Sequence, residues 1–217
     1  MKRFPFVTAG LAAAVLGPVV VTAPRPRRLT PEGVETIDQA VANCQASGKQ
    51  GWELVDHATH LVNRKYSFYS AYHWWETPRQ AFERSRGQSN QYNTALARVL
   101  RALGFTVRTV HAARVRLDRA PWWHVGHTWL HVTIDGDTRD VCASKIENTA
   151  GDVEFTPMTP VRPFRGLTYV DTTLGLAPIA VVATWRSWVE RRPLPRWLYR
   201  RFGESVHLDE AQFLHVP

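Results

Sequence analysis

Ser89 follows the tight approach Arg86-Gly87-Gln88 and precedes the run Asn90 to Leu103, whose apolar residues recur at helical spacing. A hydroxyl at a helix start lies where backbone N–H groups and the helix dipole favour developing negative charge. Two roles suit such a residue. It can cap the helix, since serine is among the best N-caps, or it can act as a nucleophile. A serine hydroxyl is scarcely ionised at neutral pH, so the second role depends on a positioned base. The histidine-bearing stretch His124 to His131 follows downstream.

The flanking elements are legible from periodicity. Val34, Ile37, Val41 and Cys44 form one helical stripe, and Leu54, His57, Ala58, Leu61 and Val62 form a second, with the turn "ASGKQG" between them. Thr77-Pro78 opens another short helix. Tyr92, Leu96, Val99, Leu100 and Leu103 share one face of the helix after Ser89, and Gly104 supplies its left-handed stop. "FTVRTVHAARVRL" alternates as a strand, "DRAPWW" reads as a break, "GHTWLHVTI" as a second strand, Asp135-Gly136 as a hairpin turn and "TRDVCAS" as a third strand. Helices followed by an antiparallel sheet give an α+β domain.

The order Arg86-Gly87-x-Ser89, "RALGFTVRTV", "GHTWLHVTIDG" and "RDVCAS" resembles the transglutaminase-like superfamily, relatives of the papain-like cysteine enzymes, with the arylamine N-acetyltransferases more distant. The resemblance covers about Trp52 to Ser144. It implies a nucleophile at a helix N-terminus, with a histidine and an acid on neighbouring antiparallel strands, and acyl transfer or amide hydrolysis through a thioester. On this pattern Ser89 stands at the cysteine position and His127 at the histidine, and Asp140 is the nearest carboxylate for the third place. Gln88 and Trp75 become candidates for holding the oxyanion, although a chain with nine Trp has many aromatics that simply pack.

Hairpin arithmetic complicates the third position. With Asp135 and Gly136 as a two-residue turn, Ile134 pairs with Asp137, His131 with Asp140 and His127 with Ser144, so His127, Asp140, Cys142 and Ser144 share one face. Cys142 is then the diagonal neighbour of His127, at roughly 7–8 Å between backbones. Asp140 lies two pairs further along, at about 13 Å. Cys142 is thus the alternative third member. Serine at the cysteine position and cysteine at the acid position together suggest a degenerate acyl-transfer site. The alternatives are an active serine-dependent transferase or hydrolase using Ser89 and His127, and a non-catalytic module that binds a peptide or partner. His131, Asp140 and Cys142, with His124 and His127 near, are metal-ligand types, but their spacing is no zinc signature; no metal and no cofactor are expected.

Composition sets the remaining expectations. With 44% hydrophobic and 21% charged residues the chain is globular, and two cysteines permit at most one bridge. The formal charge of +8 gathers at Arg25 to Arg28 and in the C-terminal third, without any nucleic-acid-binding motif, so nucleic acid is not an expected partner. The apolar run Phe4 to Ala23 after Met-Lys-Arg resembles a signal or anchor, although Pro5, Gly10, Gly17 and Pro18 weaken a continuous spanning helix. Trp185, Trp188, Trp197 and Tyr199 lie among arginines, a pattern suited to an anionic membrane surface. Export or membrane association is favoured over a cytoplasmic location. The expected organisation is an arm over 1–28, a transglutaminase-like domain over 29–165 and a C-terminal extension over 166–217. The expected partner is a peptide or protein, as acyl substrate or as ligand.

Overall fold

The computed structural model describes residues 4–118, 120–166, 168, 170 and 175–204. Its helices are α1 (Phe4–Val21), α2 (Ile37–Ala46), α3 (Gly51–Lys65), α4 (Pro78–Glu83), α5 (Ser89–Ala102) and α6 (Leu176–Val189). Local chemistry sets several of their ends. Thr36 and Thr77 each accept from the backbone N–H three residues on, while the amide oxygens of Gln39 and Gln80 reach back to the cap N–H, so both helices begin in capping boxes. Gly104, at φ 92°, ends α5 in the left-handed conformation.

Two sheets accompany the helices. The larger has the order β5 (Asp137–Val141), β4 (Ala120–Ile134), β3 (Thr106–Leu117), β6 (Phe155–Pro157), with β7 (Arg162–Pro163) also on β3, and all of its pairs are antiparallel. The smaller places β1 (Phe68–Ser70) between β2 (Arg86–Gly87), which is parallel to it, and β8 (Tyr199–Arg201), which is antiparallel. The fold is α+β, with helices packed on an antiparallel sheet.

The hairpin register is Ile134 with Asp137 and His131 with Asp140. Asp135 and Gly136 both take positive φ, 50° and 84°, as a tight two-residue turn requires. Two strand expectations need correction. β4 starts at Ala120 and takes in the "PWW" stretch, across which its register on β3 shifts, with Leu117 opposite Ala120 but Arg116 opposite His124. β5 pairs only with Leu130 to Ile134, so Pro121 meets no β5 partner and its missing N–H costs the ladder little on that side. β5 itself ends at Val141, and Cys142 to Ser144 leave the ladder. Next to His127 the β3–β4 register shifts, with Ala112 opposite His127 but Val115 opposite Val125. Such a bulge twists the strand and re-aims the side chain beside it.

The main core lies between α5 and the sheet. Tyr92, Leu96, Val99 and Leu100 meet Trp129, Leu130 and Val132, with α2 and α3 closing the other side. A second core joins Val19 of α1 and Ala180 and Val181 of α6 to Tyr72 and Leu198. The chain between α1 and α2 is strapped across the domain through its carbonyls. Tyr72 Oη donates to Val19 O near the end of α1 at 2.6 Å, and beyond the helix Arg86 Nη1 donates to Pro24 O at 2.6 Å, Ser67 Oγ to Arg27 O at 3.1 Å and Lys65 Nζ to Leu29 O at 2.6 Å. The "APRPRR" stretch is therefore an ordered strap whose register its backbone sets.

Leu96 is wholly buried, whereas Leu11 on α1 is 67% exposed. Leu96→Ala is expected to lower unfolding stability by about 2–5 kcal/mol, and Leu11→Ala by less than about 0.5 kcal/mol, in urea titrations followed by circular dichroism.

Candidate functional site

Ser89 is the first residue of α5, and the cap position belongs to Gln88, whose backbone N–H donates to Gln91 Oε1 at 2.9 Å. Serine is therefore not the cap. It occupies the first turn, half-buried, on a loop held from both sides. Arg86 gives Nε and Nη2 to the two carboxylate oxygens of Glu76, and Gln91 Nε2 donates to the carbonyls of His73 (3.0 Å) and Glu76 (2.7 Å). Burial pushes the Glu76 carboxyl up, but Arg86 and Arg84 outweigh it and hold it below its ordinary value.

The next polar residue on the Ser89 face of α5 is Asn93, one turn on. Its amide has no exposure. Asn93 Nδ2 donates to Thr128 O at 2.6 Å and to Cys142 Sγ at 3.3 Å, while its Oδ1 accepts from Ala143 N at 3.0 Å. One side chain thus fastens α5 to β4 and to the chain leaving β5. Asn63 Nδ2 on Ala143 O (2.9 Å) and Asn148 Nδ2 on Cys142 O (3.0 Å) secure the same short stretch.

His127 is buried, 7% exposed, beside Trp129 and edge-on to Phe155 at 4.7 Å between ring centres. Its Nε2 lies 3.3 Å from Cys142 Sγ. The thiol donates in turn to Ser144 Oγ at 3.2 Å, which leaves sulfur to accept from the ring and from Asn93. Burial, reinforced by His111, drives the His127 pKa down to about 3. Burial pushes the Cys142 thiol up, with Ser144 and Asn93 offsetting only part of it. Both partners are neutral at pH 7, so no thiolate–imidazolium pair forms.

Asp140 faces elsewhere. Its carboxylate accepts from Trp129 Nε1 at 2.8 Å and lies 3.0 Å from His131 Nε2. Burial raises its pKa, but His131 and Trp129 more than offset this. Cys142, not Asp140, meets the His127 ring. No hydrogen bond joins Ser89 to His127 among the described residues, and no three His, Cys, Asp or Glu side chains there gather in a metal-binding group. His124 lies in β4, and its side chain falls outside the described residues.

The oxyanion candidates differ in setting. Gln88 is buried and its Nε2 has no hydrogen-bond partner, leaving an unused donor next to Ser89. Trp75 belongs to an aromatic wall, edge-on to Tyr72 at 5.9 Å and Trp74 at 5.7 Å, that packs with α6. His73, fully buried, sits in the same wall with Nδ1 at 2.5 Å from Ser70 Oγ. Ser144 shares the His127 face in the hairpin arithmetic, whereas Asn93, His73 and the Glu76–Arg86 pair carry no motif in the sequence. The spacing of Ser89 and Asn93, two polar residues one turn apart beside an apolar helix face, was the signal available for Asn93.

Residues 37–138 match the family model of the transglutaminase-like superfamily. The match includes Ser89 and His127 and stops two residues short of Asp140. No curated protein matches the chain. The helices and hairpin that carry Ser89, Asn93 and His127 therefore form a domain of the transglutaminase-like superfamily.

Proposed function

We propose that this chain is a degenerate member of its superfamily, whose former acyl-transfer cleft binds a peptide or protein segment without covalent turnover. The observation that carries this reading is the His127–Cys142 contact. A general base works best with a pKa near the working pH. An imidazole at about 3, set against a neutral thiol, is too weak to draw the proton from a serine hydroxyl. The nearest carboxylate on the hairpin, Asp140, is committed to Trp129 and His131. Binding without chemistry is supported by Gln88, whose buried amide N–H can receive a carbonyl of a bound chain.

The wild-type protein is expected to remain unlabelled at Ser89 by a fluorophosphonate probe. Labelling that Ser89→Ala abolishes would overturn the degenerate reading. Ser89→Cys alone is expected to alkylate with iodoacetamide no faster than an ordinary thiol at pH 7. Adding Cys142→Asp supplies a carboxylate against the His127 ring and is expected to raise that rate by about tenfold, read at residue 89 by peptide mass spectrometry.

The neutral histidines also leave a thermodynamic trace. Burial lowers the pKa of His127 to about 3 and, with Arg86 adding to it, that of His73 to about 4, against 6.5 for the ordinary side chain. Below pH 6.5 the unfolded chain takes up protons that the folded chain does not, so stability must fall as pH falls. Each histidine should contribute about 2 kcal/mol of loss between pH 6.5 and 5. Urea unfolding at pH 7 and pH 5 measures the loss, and His127→Asn should reduce the slope; a flat profile would contradict the neutral assignment.

A further inference from the structure

From Gly10 to Val21, α1 carries no polar or charged side chain. A helix of that kind is ordinarily buried in a protein core or in lipid. Here Val19 packs inward, while Leu11 and Val21 stand 67% and 73% exposed. α6 adds a second apolar stripe. Ala180, Val181, Thr184 and Ser187 face the domain, whereas Ile179, Val182 and Val189 point outward with 56%, 66% and 79% exposure. The two helices are tied by Trp185 Nε1 donating to Val15 O at 3.1 Å, and Val15, Val182, Trp185 and Val189 line one continuous groove between them.

Charge flanks this surface. Exposed Arg25, Arg27 and Arg28 follow the end of α1, and exposed Arg191 and Arg192 follow the end of α6. Arg186, paired with Glu190, stands on the groove rim. Apolar stripes bordered by guanidinium groups and tryptophan suit the boundary between acyl chains and anionic headgroups. A second copy of the chain is a poorer occupant, because apposing these faces would bring arginine clusters together on chains of net charge +8. Among the described residues no helix is long and apolar enough to cross a membrane.

We propose that the joint α1–α6 face docks on an anionic lipid bilayer, seating Leu11, Val182 and Val189 in the acyl boundary and the flanking arginines among lipid phosphates. None of the residues lining this surface is among those around Ser89 and His127, so it stands or falls independently of the function proposed for that site. The test uses the purified full chain and sedimentation with phosphatidylcholine vesicles, with and without phosphatidylglycerol. The anionic vesicles are expected to bind the protein at least about tenfold more tightly, since each basic residue near such a surface contributes about a factor of five. Arg191→Glu with Arg192→Glu should abolish that preference. Val182→Asp with Val189→Asp should abolish binding to both vesicle types, and circular dichroism checks that these exposed substitutions leave the fold intact. Equal binding to both vesicle types, binding unaffected by the arginine reversals, or a concentration-dependent dimer that vesicles do not dissociate would each overturn the proposal.

Discussion

The amide of Asn93 is the constraint on which the arrangement around His127 depends. It is fully buried, and it joins α5 to Thr128, Cys142 and Ala143 through both of its polar atoms. A buried amide left unpaired would be costly, so all three contacts hold together or fail together. They fix how far the first turn of α5 stands from the strand bearing His127. They also hold sulfur against the imidazole, at the position where a member of this family is expected to place an acid. The helix start and the strand of a transglutaminase-like domain thus stand here around a pair of neutral groups.

A different balance holds the loop before Ser89. Glu76 is almost fully buried with Arg86, and Arg84 reaches it from the surface. Burying charges is expensive unless each is closely paired and hydrogen-bonded. Here the third guanidinium nitrogen of Arg86, Nη1, donates to Pro24 O, so the strap joins the shell of the ion pair. Lys65 repeats the device with Leu29 O and Ser85 Oγ, and burial lowers its pKa to about 8. The approach to Ser89 and the segment beyond α1 are therefore one cooperative unit.

How much of this was legible in the sequence depended on the range of the interactions. The Asp135-Gly136 turn and strict alternation set the hairpin register, and that register placed Cys142 rather than Asp140 beside His127. The stripe from Tyr92 to Leu103 defined α5 in the same way. β1, β2 and β8 are two or three residues long, too short for alternation to register, and they exist because distant segments pair. The strap was illegible for a further reason. It is held through carbonyl oxygens, which every residue has, so "APRPRR" looks like a linker whether or not it is fastened. Ser89 itself is ambiguous by type, since the same hydroxyl serves a cap or a nucleophile, and only the cap geometry of Gln88 removes one of those roles.

The position of β1 in its small sheet bears on how the molecule is finished. Its neighbour on one side, β2, follows it closely in the chain, but its neighbour on the other side, β8, lies far downstream. Until β8 is made β1 has an open edge, and until α6 is made the aromatic wall that follows β1 lacks its cover. Long-range pairings of this kind form slowly, and unpaired edges invite association with other chains. Two segments far apart in the polypeptide thus close the structure as a clasp, and a chain cut short before Tyr199 would present a sticky, unfinished flank beside an otherwise folded core.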